Sequence, residues 1–122
     1  METALITVVE TRSFEADAKK HLTADEKDAA IDYIAANPEA GDIMTGTGGV
    51  RKIRFALQGR GKRGGGRIVY YFYDRNNPVF LLALFSKNAK DNLTKAERNA
   101  LAKLSARLIR LYARRGRTNG NL

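Results

Sequence analysis

The residues in this chain that are best suited to chemistry are seven cations in its central stretch. Between Asp42 and Asp74 there is no acidic residue, and the basic residues there are Arg51, Lys52, Arg54, Arg60, Lys62, Arg63 and Arg67. Guanidinium and ammonium groups neutralise phosphates, and they stabilise the negative charge that develops during phosphoryl transfer. The stretch therefore predicts a surface that binds nucleic acid and that could support chemistry at a phosphate.

Alternation along two predicted strands places some of these cations on shared faces. In residues 50–57 apolar and basic side chains alternate, so Lys52 and Arg54 lie on the polar face. In residues 67–73 three side chains share a face: Arg67, Tyr71 and Tyr73. If the two strands pair, cations and phenol rings line one surface, where the rings can stack on unpaired bases. Tyr70 then faces the core, and packing is its expected role.

The segment between these strands, residues 58–66 (QGRGKRGGG), predicts a glycine-rich basic loop. Glycines let the backbone approach a phosphate closely, but a plain flexible hairpin explains them at least as well. The segment does not end in GK[ST], so it is not a Walker A motif. No helix follows it, which also excludes a dinucleotide-binding turn.

The charge distribution agrees with a polyanionic partner. Residues 1–50 carry a net charge of −6 and residues 51–122 a net charge of +15. Such segregation is more than solubility requires. The chain has no cysteine, so disulfides and thiolate metal sites are excluded. No apolar run approaches the length of a membrane span, and the N-terminus does not resemble a secretory signal, so we expect a cytoplasmic protein.

Hydrophobic patterning predicts seven elements in the order β-α-α-β-β-β-α. The predicted strands cover residues 4–9, 50–57, 67–73 and 79–85. Two capping boxes, Thr23 to Glu26 and Thr94 to Glu97, open the second and the last helix. These elements predict one α+β domain over residues 1–114, with an antiparallel sheet and helices packed on one face. Residues 115–122 are predicted to form a disordered basic and polar tail.

Two segments add predictions about packing. Residues 79–85 (VFLLALF) are apolar on both faces, which is typical of a central strand that is covered on both sides. In the last helix, leucines at three- and four-residue steps predict the buried stripe: Leu101, Leu104, Leu108 and Leu111. The basic residues of this helix could form a solvated face or contact RNA, and both interpretations stay open.

A long stretch of the chain resembles a known family. Residues 41–73, GDIMTGTGGVRKIRFALQGRGKRGGGRIVYYFY, resemble the core signature of HigB/RelE-type toxins of type II toxin–antitoxin modules, and most of all the HigB-like subgroup. Residues 81–94, LLALFSKNAKDNLT, continue the resemblance. It implies a RelE-like fold and a toxin that cleaves messenger RNA in the ribosomal A site by attack of a ribose 2′-OH on the adjacent phosphate. It also implies no metal and no cofactor, with the ribosome, messenger RNA and a cognate antitoxin, expected to be of the helix-turn-helix type, as partners.

The same resemblance implies roles for individual residues. The catalytic positions are Lys52, Arg54, Arg67 and Lys87. Lys52 is the candidate base, because neighbouring cations disfavour the protonated form of a lysine, and the two arginines would hold the scissile phosphate. The expected RNA-binding residues are Arg51, Arg60, Lys62, Arg63, Tyr71 and Tyr73. Asn88 stands where some members have an arginine, and residues 89–96 lack a tyrosine that some members use, so Tyr71 or Tyr73 could take that role.

Two other functions are compatible with the sequence. A relative of the ParE branch would have the same fold but poison gyrase without cutting RNA. A plain RNA-binding module without catalysis is the second alternative, because the chain shows no histidine–glutamate pair of the kind that ordinary ribonucleases use. The dense basic cluster on the middle strands favours work on RNA over gyrase poisoning.

Overall fold

The computed structural model describes the backbone of residues 6–57, 61–87 and 92–120, and the side chains of residues 6–56, 65–87 and 92–112. The elements in chain order are β1 (Val8–Glu10), α1 (Arg12–His21), α2 (Ala24–Ala36), β2 (Asp42–Ile43), β3 (Val50–Leu57), β4 (Gly61–Tyr71), β5 (Val79–Ser86) and α3 (Lys95–Gly120). The predicted order is therefore confirmed, with β2 as an added short strand. The α+β class is confirmed as well.

The five strands form one sheet in the order β1-β5-β4-β3-β2. The three long strands β3, β4 and β5 form the predicted antiparallel meander. The sheet is mixed rather than purely antiparallel, because β1 runs parallel to β5. Parallel neighbours need a long connection between them. Here two helices and three strands lie between β1 and β5 in the sequence, so the two strands can run side by side in the same direction.

The helices cover both faces of the sheet, and the prediction of helices on one face is wrong. On one face Phe14 of α1 and Ile34 of α2 pack in a cluster with Ile68 and Leu81. On the other face Leu101, Leu108, Ile109 and Tyr112 of α3 pack against a cluster that includes Val69, Tyr71, Phe80 and Leu82. Neighbouring residues of β4 and β5 thus enter opposite clusters, which confirms the prediction that 79–85 is a strand covered on both sides.

Both predicted capping boxes are present. Thr23 N donates to Glu26 Oε1 (2.9 Å), and Glu26 N donates to Thr23 Oγ1 (3.1 Å). The corresponding distances between Thr94 and Glu97 are 2.8 and 3.1 Å. These reciprocal bonds satisfy backbone donors that the first helical turn leaves without partners. The first residues of α2 and α3 are therefore determined by side chains that lie within one helical turn of each other.

The buried stripe of α3 differs from the prediction at two of four positions. Leu104 and Leu111 are exposed to 37% and 48%, whereas Ser105 is buried. The face of α3 that packs on the sheet carries Leu101, Ser105 and Leu108. Its backbone continues through residues 115–120, which the sequence analysis assigned to a tail, and the domain boundary at 114 stays a prediction. Within the ranges that the structure describes, no helix is both long and apolar enough to cross a membrane.

The burial of Ser105 on α3 is explained by a contact between this helix and the turn that joins β2 to β3. Thr47 is fully buried, and its Oγ1 donates to Met44 O (2.7 Å) and accepts from Val50 N (3.0 Å). Ser105 Oγ donates to Thr47 O (3.1 Å), which ties the turn to α3. Gly48 adopts φ +76°, and a Cβ there would lie 2.8 Å from Ser105 Oγ. The GTGG segment is thus a structural motif that docks α3 on the sheet.

Gly48→Ala is expected to lower the free energy of unfolding by about 2–4 kcal/mol, from a left-handed backbone and a displaced Ser105 contact together. Gly46→Ala is the matched control, because Gly46 has a similar φ of +80° but nothing within 4 Å of the added Cβ. The control should cost only the backbone part, about 1–2 kcal/mol. Urea unfolding of both variants measures the difference, and equal losses would show that α3 docking tolerates the added methyl group.

The glycine-rich segment is mostly strand, and its prediction as a loop is wrong. β4 begins at Gly61, so residues 61–66 extend the hairpin with β3 instead of forming an irregular loop. Gly66 pairs with Phe55, and a Cβ at this position would lie 2.7 Å from Phe55 Cζ. This glycine therefore leaves room for an aromatic ring across the strand pair, a packing role that its sequence context does not reveal.

Candidate functional site

A cavity of about 540 Å³ lies at the edge of the sheet beside β3. The residues that line it come from α2, the β2 region, β3, β4 and the approach to α3: Tyr33, Ala40, Asp42, Lys52, Ile53, Arg54, Arg67 and Asn92. Three of the four predicted catalytic residues are in this set. They lie on the adjacent strands β3 and β4, whose backbones are hydrogen-bonded to each other.

Strand register explains why these three cations share a wall. Arg54 of β3 lies directly opposite Arg67 of β4, and Lys52 lies opposite Val69 in the same pairing. Residues that face each other in an antiparallel pair project from the same side of the sheet. Because Val69 packs in the cluster beneath α3, all three cations project from the α3 side.

The side chain of Lys52 has one polar contact among the residues that the structure describes. Its Nζ is 3.5 Å from Oδ1 of Asn92, which lies just before α3. Asn92 was not predicted, because nothing in its local sequence indicates that the chain returns to β3 at this point. Asp42 lies opposite Lys52 in register and also lines the cavity. It was missed as well, because a two-residue strand carries no periodicity.

Two of the three cations that line the cavity, Lys52 and Arg54, form no ion pair within the described part of the chain. Lys27 and Glu10 form an ion pair of 2.7 Å, and neither residue lines the cavity. Lys52 and Arg54 have no carboxylate oxygen within 4.0 Å among those residues. Their positive charge is therefore available to an anionic ligand that enters from solvent.

Arg67 differs from the other two cations by its burial. It is 4% exposed, and its Nη1 donates to the carbonyl oxygen of Gly66 at 3.2 Å. The guanidinium is thus held in the wall of the cavity, whereas Arg54 is exposed and can move toward a ligand. A buried charge is less screened by water than an exposed one. Arg67 therefore contributes positive electrostatic potential to the cavity although little of its surface is accessible.

Arg51 lies outside this cavity and has a structural role. Its Nη1 donates to the carbonyl oxygens of Glu39 (3.0 Å) and Gly41 (2.9 Å). These bonds hold the chain between α2 and β2, and the expected RNA contact of Arg51 stays a prediction.

Tyr70 holds the same segment from within the core. Its hydroxyl donates to Pro38 O (2.9 Å) and accepts from Gly41 N (2.8 Å). Burial raises the pKa of the Tyr70 phenol above its ordinary value, although the Gly41 N–H and the Arg51 guanidinium act in the opposite direction. Packing as the role of Tyr70 is confirmed, and its hydroxyl adds a hydrogen-bonding role.

The two tyrosines that were expected to contact RNA are not part of the cavity. Tyr71 is 3% exposed under α3, so its prediction as a stacking residue is wrong, and burial raises the pKa of its phenol. Tyr73 is 51% exposed, but it lies six residues beyond Arg67. At about 3.3 Å per residue this separation is about 20 Å. The structure therefore does not place either ring in the wall of the cavity.

Lys87 lies near the cavity without lining it. It follows the end of β5, and its backbone N donates to Gly65 O at 3.0 Å. β5 is the neighbour of β4 in the sheet, and Phe85 of β5 is the register partner of Arg67, so Lys87 lies two residues beyond that partner. The side chain is exposed. Arg60 and the side chains of Lys62 and Arg63 fall outside the described part of the structure, so their predicted RNA contacts stay predictions.

Tyr33 is a further residue of the cavity that the sequence analysis missed. It is 53% exposed on α2, although the buried residues of this helix are Ile34 and Ala35. An aromatic side chain that lies off the apolar stripe of a helix is the signal that could have identified it. No group of three or more His, Cys, Asp or Glu residues in the described ranges could hold a metal ion.

The arrangement can bind a phosphodiester and stabilise charge on it. Lys52, Arg54 and Arg67 surround a space that is large enough for a nucleotide unit, and Tyr33 offers an exposed ring beside it. Guanidinium groups bind two phosphate oxygens at once, and a lysine amine can exchange a proton.

Comparison with known proteins identifies the family. Residues 6–115 match the family described as the RelE toxin of the RelE/RelB toxin–antitoxin system. Among solved structures, the chain is similar to a mutant of the E. coli toxin RelE in the free state, at 17% sequence identity and a TM-score of 0.52. That match covers 72% of this chain and 90% of the other, and at this identity it shows the fold alone. Since the family match spans nearly the whole chain, the protein belongs to the RelE family of toxins from toxin–antitoxin systems.

Proposed function

We propose that this toxin is a ribosome-dependent endoribonuclease that cuts messenger RNA in the ribosomal A site and so blocks translation in the cytoplasm. The observation that supports the proposal best is the convergence of Lys52, Arg54 and Arg67 on one cavity, without ion pairs to described carboxylates at the first two. A cationic cavity of this kind favours a phosphate of the RNA backbone.

In the proposed reaction the ribose 2′-OH attacks the adjacent phosphorus. The 2′-O–P bond forms as the P–O5′ bond breaks, which leaves a 2′,3′-cyclic phosphate on one fragment and a 5′-OH on the other. The 2′-OH proton passes to a base, and the departing 5′ oxygen receives a proton. The protein has to supply proton transfer and stabilisation of the charge on the non-bridging phosphate oxygens.

The residue types suggest how these tasks are divided. Lys52 is the proposed proton-transfer group, because an amine can gain and lose a proton whereas guanidinium groups stay protonated. Arg54 and Arg67 are the proposed phosphate ligands, one mobile and one held in the wall. Asn92 would orient the Lys52 amine through its 3.5 Å contact. Lys87, one strand over, would bind the RNA that flanks the scissile link.

The proposal includes the partners that such a toxin requires. The ribosome presents the message in an extended form, so the toxin itself needs only to contact a few nucleotides. A cognate antitoxin would hold the protein inactive, and the HigB-like pattern of residues 41–73 makes a helix-turn-helix antitoxin the expected type. Metal independence is part of the proposal as well, since the roles above use side chains only.

Mapping RNA ends on programmed ribosomes tests the function. Ribosomes that are stalled with an open A site are incubated with the purified protein, and primer extension locates the 5′ ends. We expect cuts confined to the A-site codon, with 2′,3′-cyclic phosphate termini, unchanged by EDTA at a concentration that leaves ribosomes intact, and absent on the same RNA without ribosomes. Intact RNA together with DNA breaks in expressing cells would instead indicate a gyrase poison. Protection of RNA without new ends would indicate a binding module.

A further inference from the structure

The cationic cavity also contains a carboxylate. Asp42 lines it together with Lys52, Arg54 and Arg67, and it is the one acidic residue that the described chain contributes to the wall. Asp42 is exposed, and it forms no ion pair with any residue that the structure describes. A carboxylate repels phosphate, so binding of an RNA backbone does not explain an aspartate at this position. Because a carboxylate accepts hydrogen bonds and donates none, Asp42 is suited to a neutral ligand group that carries N–H donors.

Apolar surface adjoins this carboxylate. Tyr33 and Ile53 line the cationic cavity and also a second, apolar groove of about 460 Å³ between α2 and β3. The ring of Tyr33 is accessible, since the residue is 53% exposed. Burial is the largest cause that raises the pKa of the Tyr70 phenol, and Tyr33 and Asp42 both add to it, so these two side chains lie near the same hydroxyl. The cavity wall therefore carries an aromatic ring and a carboxylate close to each other.

The backbone that carries Asp42 is held in place from both sides. In the preceding residue, Gly41, the N–H donates to the Tyr70 hydroxyl (2.8 Å) and the carbonyl accepts from Arg51 Nη1 (2.9 Å). Asp42 itself is the register partner of Lys52 in the pairing of β2 with β3. A site that discriminates between similar ligands needs its polar groups positioned before the ligand arrives. The backbone of Asp42 meets this condition, although its side chain is exposed.

A nucleotide is complementary to all three kinds of surface in this cavity. Its phosphate suits the cations, the flat face of its base suits Tyr33 and Ile53, and the polar edge of the base suits Asp42. The four bases differ at that edge. Guanine presents two adjacent N–H donors, which match the two oxygens of a carboxylate. Adenine and cytosine present one donor beside an acceptor, and uracil presents one donor between two acceptors, so each of these would turn a lone pair toward the carboxylate.

We propose that Tyr33 and Asp42 form a subsite for the nucleobase that adjoins the bound phosphate, and that this subsite selects guanine. Tyr33 stacks on the base, and the carboxylate of Asp42 accepts hydrogen bonds from its N1–H and N2–H groups. That the bound nucleotide belongs to a message on the ribosome rests on the proposed function; the binding of a guanine nucleotide by the chain alone does not. Asp42 is thus a specificity-determining residue and takes no part in proton transfer.

Titration with mononucleotides tests the subsite without ribosomes. GMP, AMP, CMP and UMP are added separately to the isotope-labelled full chain, and amide NMR shifts give the position of binding and the Kd. We expect GMP to bind at least about fivefold more tightly than the other three, because a bidentate pair with a base discriminates by roughly 5- to 150-fold. The largest shifts should lie at Tyr33, Asp42 and Ile53. Equal Kd values for the four nucleotides, or shifts centred elsewhere, would reduce the interaction to phosphate binding and overturn the proposal.

Asp42→Asn tests the role of the carboxylate, because it replaces two acceptors by one acceptor and one donor at an exposed position. A side-chain amide matches adenine, so the order of affinity should reverse, with AMP bound at least about threefold more tightly than GMP. The matched control is Asp28→Asn on α2, which makes the same change of charge at an exposed residue that lines neither space. The control should keep the preference for GMP. An Asp42→Asn variant that also keeps this preference would contradict the proposal.

Two substitutions of Tyr33 test the ring. Tyr33→Leu should weaken all four mononucleotides by a similar factor of about five or more, because stacking on an aromatic ring depends little on the base. Tyr33→Phe keeps the ring and should change each Kd by less than about twofold. Unchanged binding in Tyr33→Leu would show that the ring is not part of the subsite and overturn its assignment.

The assay on programmed ribosomes then separates specificity from chemistry. On A-site codons that differ in a single base, the wild type should cleave the guanine codon at least about fivefold faster at one codon position, and Asp42→Asn should shift this preference to adenine. A uniform loss of rate on every codon in Asp42→Asn would make Asp42 a proton-transfer or positioning residue and overturn the proposal. A wild type that cleaves no codon would contradict the endoribonuclease proposal instead, and the GMP titration would still decide the subsite by itself.

Discussion

Lys52→Met is expected to lower the rate of messenger RNA cleavage on programmed ribosomes by about 10²–10⁴-fold, the usual contribution of a positioned proton-transfer group. The substitution removes the amine and keeps an unbranched, flexible side chain that ends at the ε position, with a sulfur atom in place of one methylene group. Because the substitution leaves the backbone pairing of Lys52 with β4 in place, and its described polar contact is one 3.5 Å bond from Nζ to Asn92, the fold should be unaffected. Single-turnover cleavage at saturating toxin measures the chemical step, and sedimentation with ribosomes measures binding separately.

The matched control for Lys52→Met is Lys19→Met on α1. Lys19 is exposed on the helix pair that covers the opposite face of the sheet, so its loss changes net charge equally without touching the cavity. Its cleavage rate should stay within about twofold of the wild type, since exposed substitutions away from a site have small effects. An equal loss of rate in both variants would mean that total charge, and not the amine at position 52, supports cleavage.

Arg67 requires a different kind of substitution from Lys52. Its burial means that Arg67→Ala removes a large side chain from the packed wall of the cavity, so a loss of toxicity could reflect unfolding as well as lost chemistry. The exposed Arg54 has no such complication, and Arg54→Gln reports phosphate binding more directly. Substitutions of Arg54 and Arg67 therefore differ in how much they disturb the fold, and only the structure shows that Arg67 is the buried one of the two.

Tyr70→Phe is expected to lower the free energy of unfolding by about 2–4 kcal/mol, because it leaves two buried backbone groups without partners. These are the carbonyl of Pro38 and the N–H of Gly41, which the Tyr70 hydroxyl joins at 2.9 and 2.8 Å. The segment between them leads into β2 and supplies Ala40 and Asp42 to the cavity wall. We therefore expect some loss of ribosome-dependent cleavage in addition to the lower stability.

Tyr73→Phe is the control for this prediction. It removes the same hydroxyl from a side chain that is 51% exposed, and it should change the free energy of unfolding by no more than about 0.5 kcal/mol. Chemical denaturation of both variants at neutral pH, with equal m-values as a check on two-state behaviour, measures the two changes. A loss below about 1 kcal/mol for Tyr70→Phe would show that water or a rearranged loop satisfies the two backbone groups.

Local features of the fold were accessible from the sequence. The capping boxes of Thr23 and Thr94 were predicted correctly, because each depends on residues that are three positions apart. Alternation in residues 50–57 placed Lys52 and Arg54 on one face for the same reason. The family resemblance of residues 41–73 also came from contiguous residues, and the match over residues 6–115 confirmed the RelE family.

Features that depend on distant parts of the chain were not accessible. The sequence could not show that α3 covers the second face of the sheet, since a leucine stripe does not indicate which surface it packs against. It placed Tyr71 with the cations because alternation is correct along β4, but α3 then buries that ring. The sequence did not reveal the contacts of Arg51 with backbone carbonyls, because only the path of residues 38–41 brings the carbonyls of Glu39 and Gly41 to its guanidinium.

The sequence by itself determined that the middle of this chain carries strands with cations on one face, because strand geometry repeats every two residues and capping acts within one helical turn. Tertiary structure alone decided which cations meet. The register between β3 and β4 set Arg54 beside Arg67, the short β2 brought Asp42 opposite Lys52, and the return of the chain before α3 added Asn92. Register and helix placement are set by contacts between residues tens of positions apart, and such contacts leave no periodic trace in the sequence.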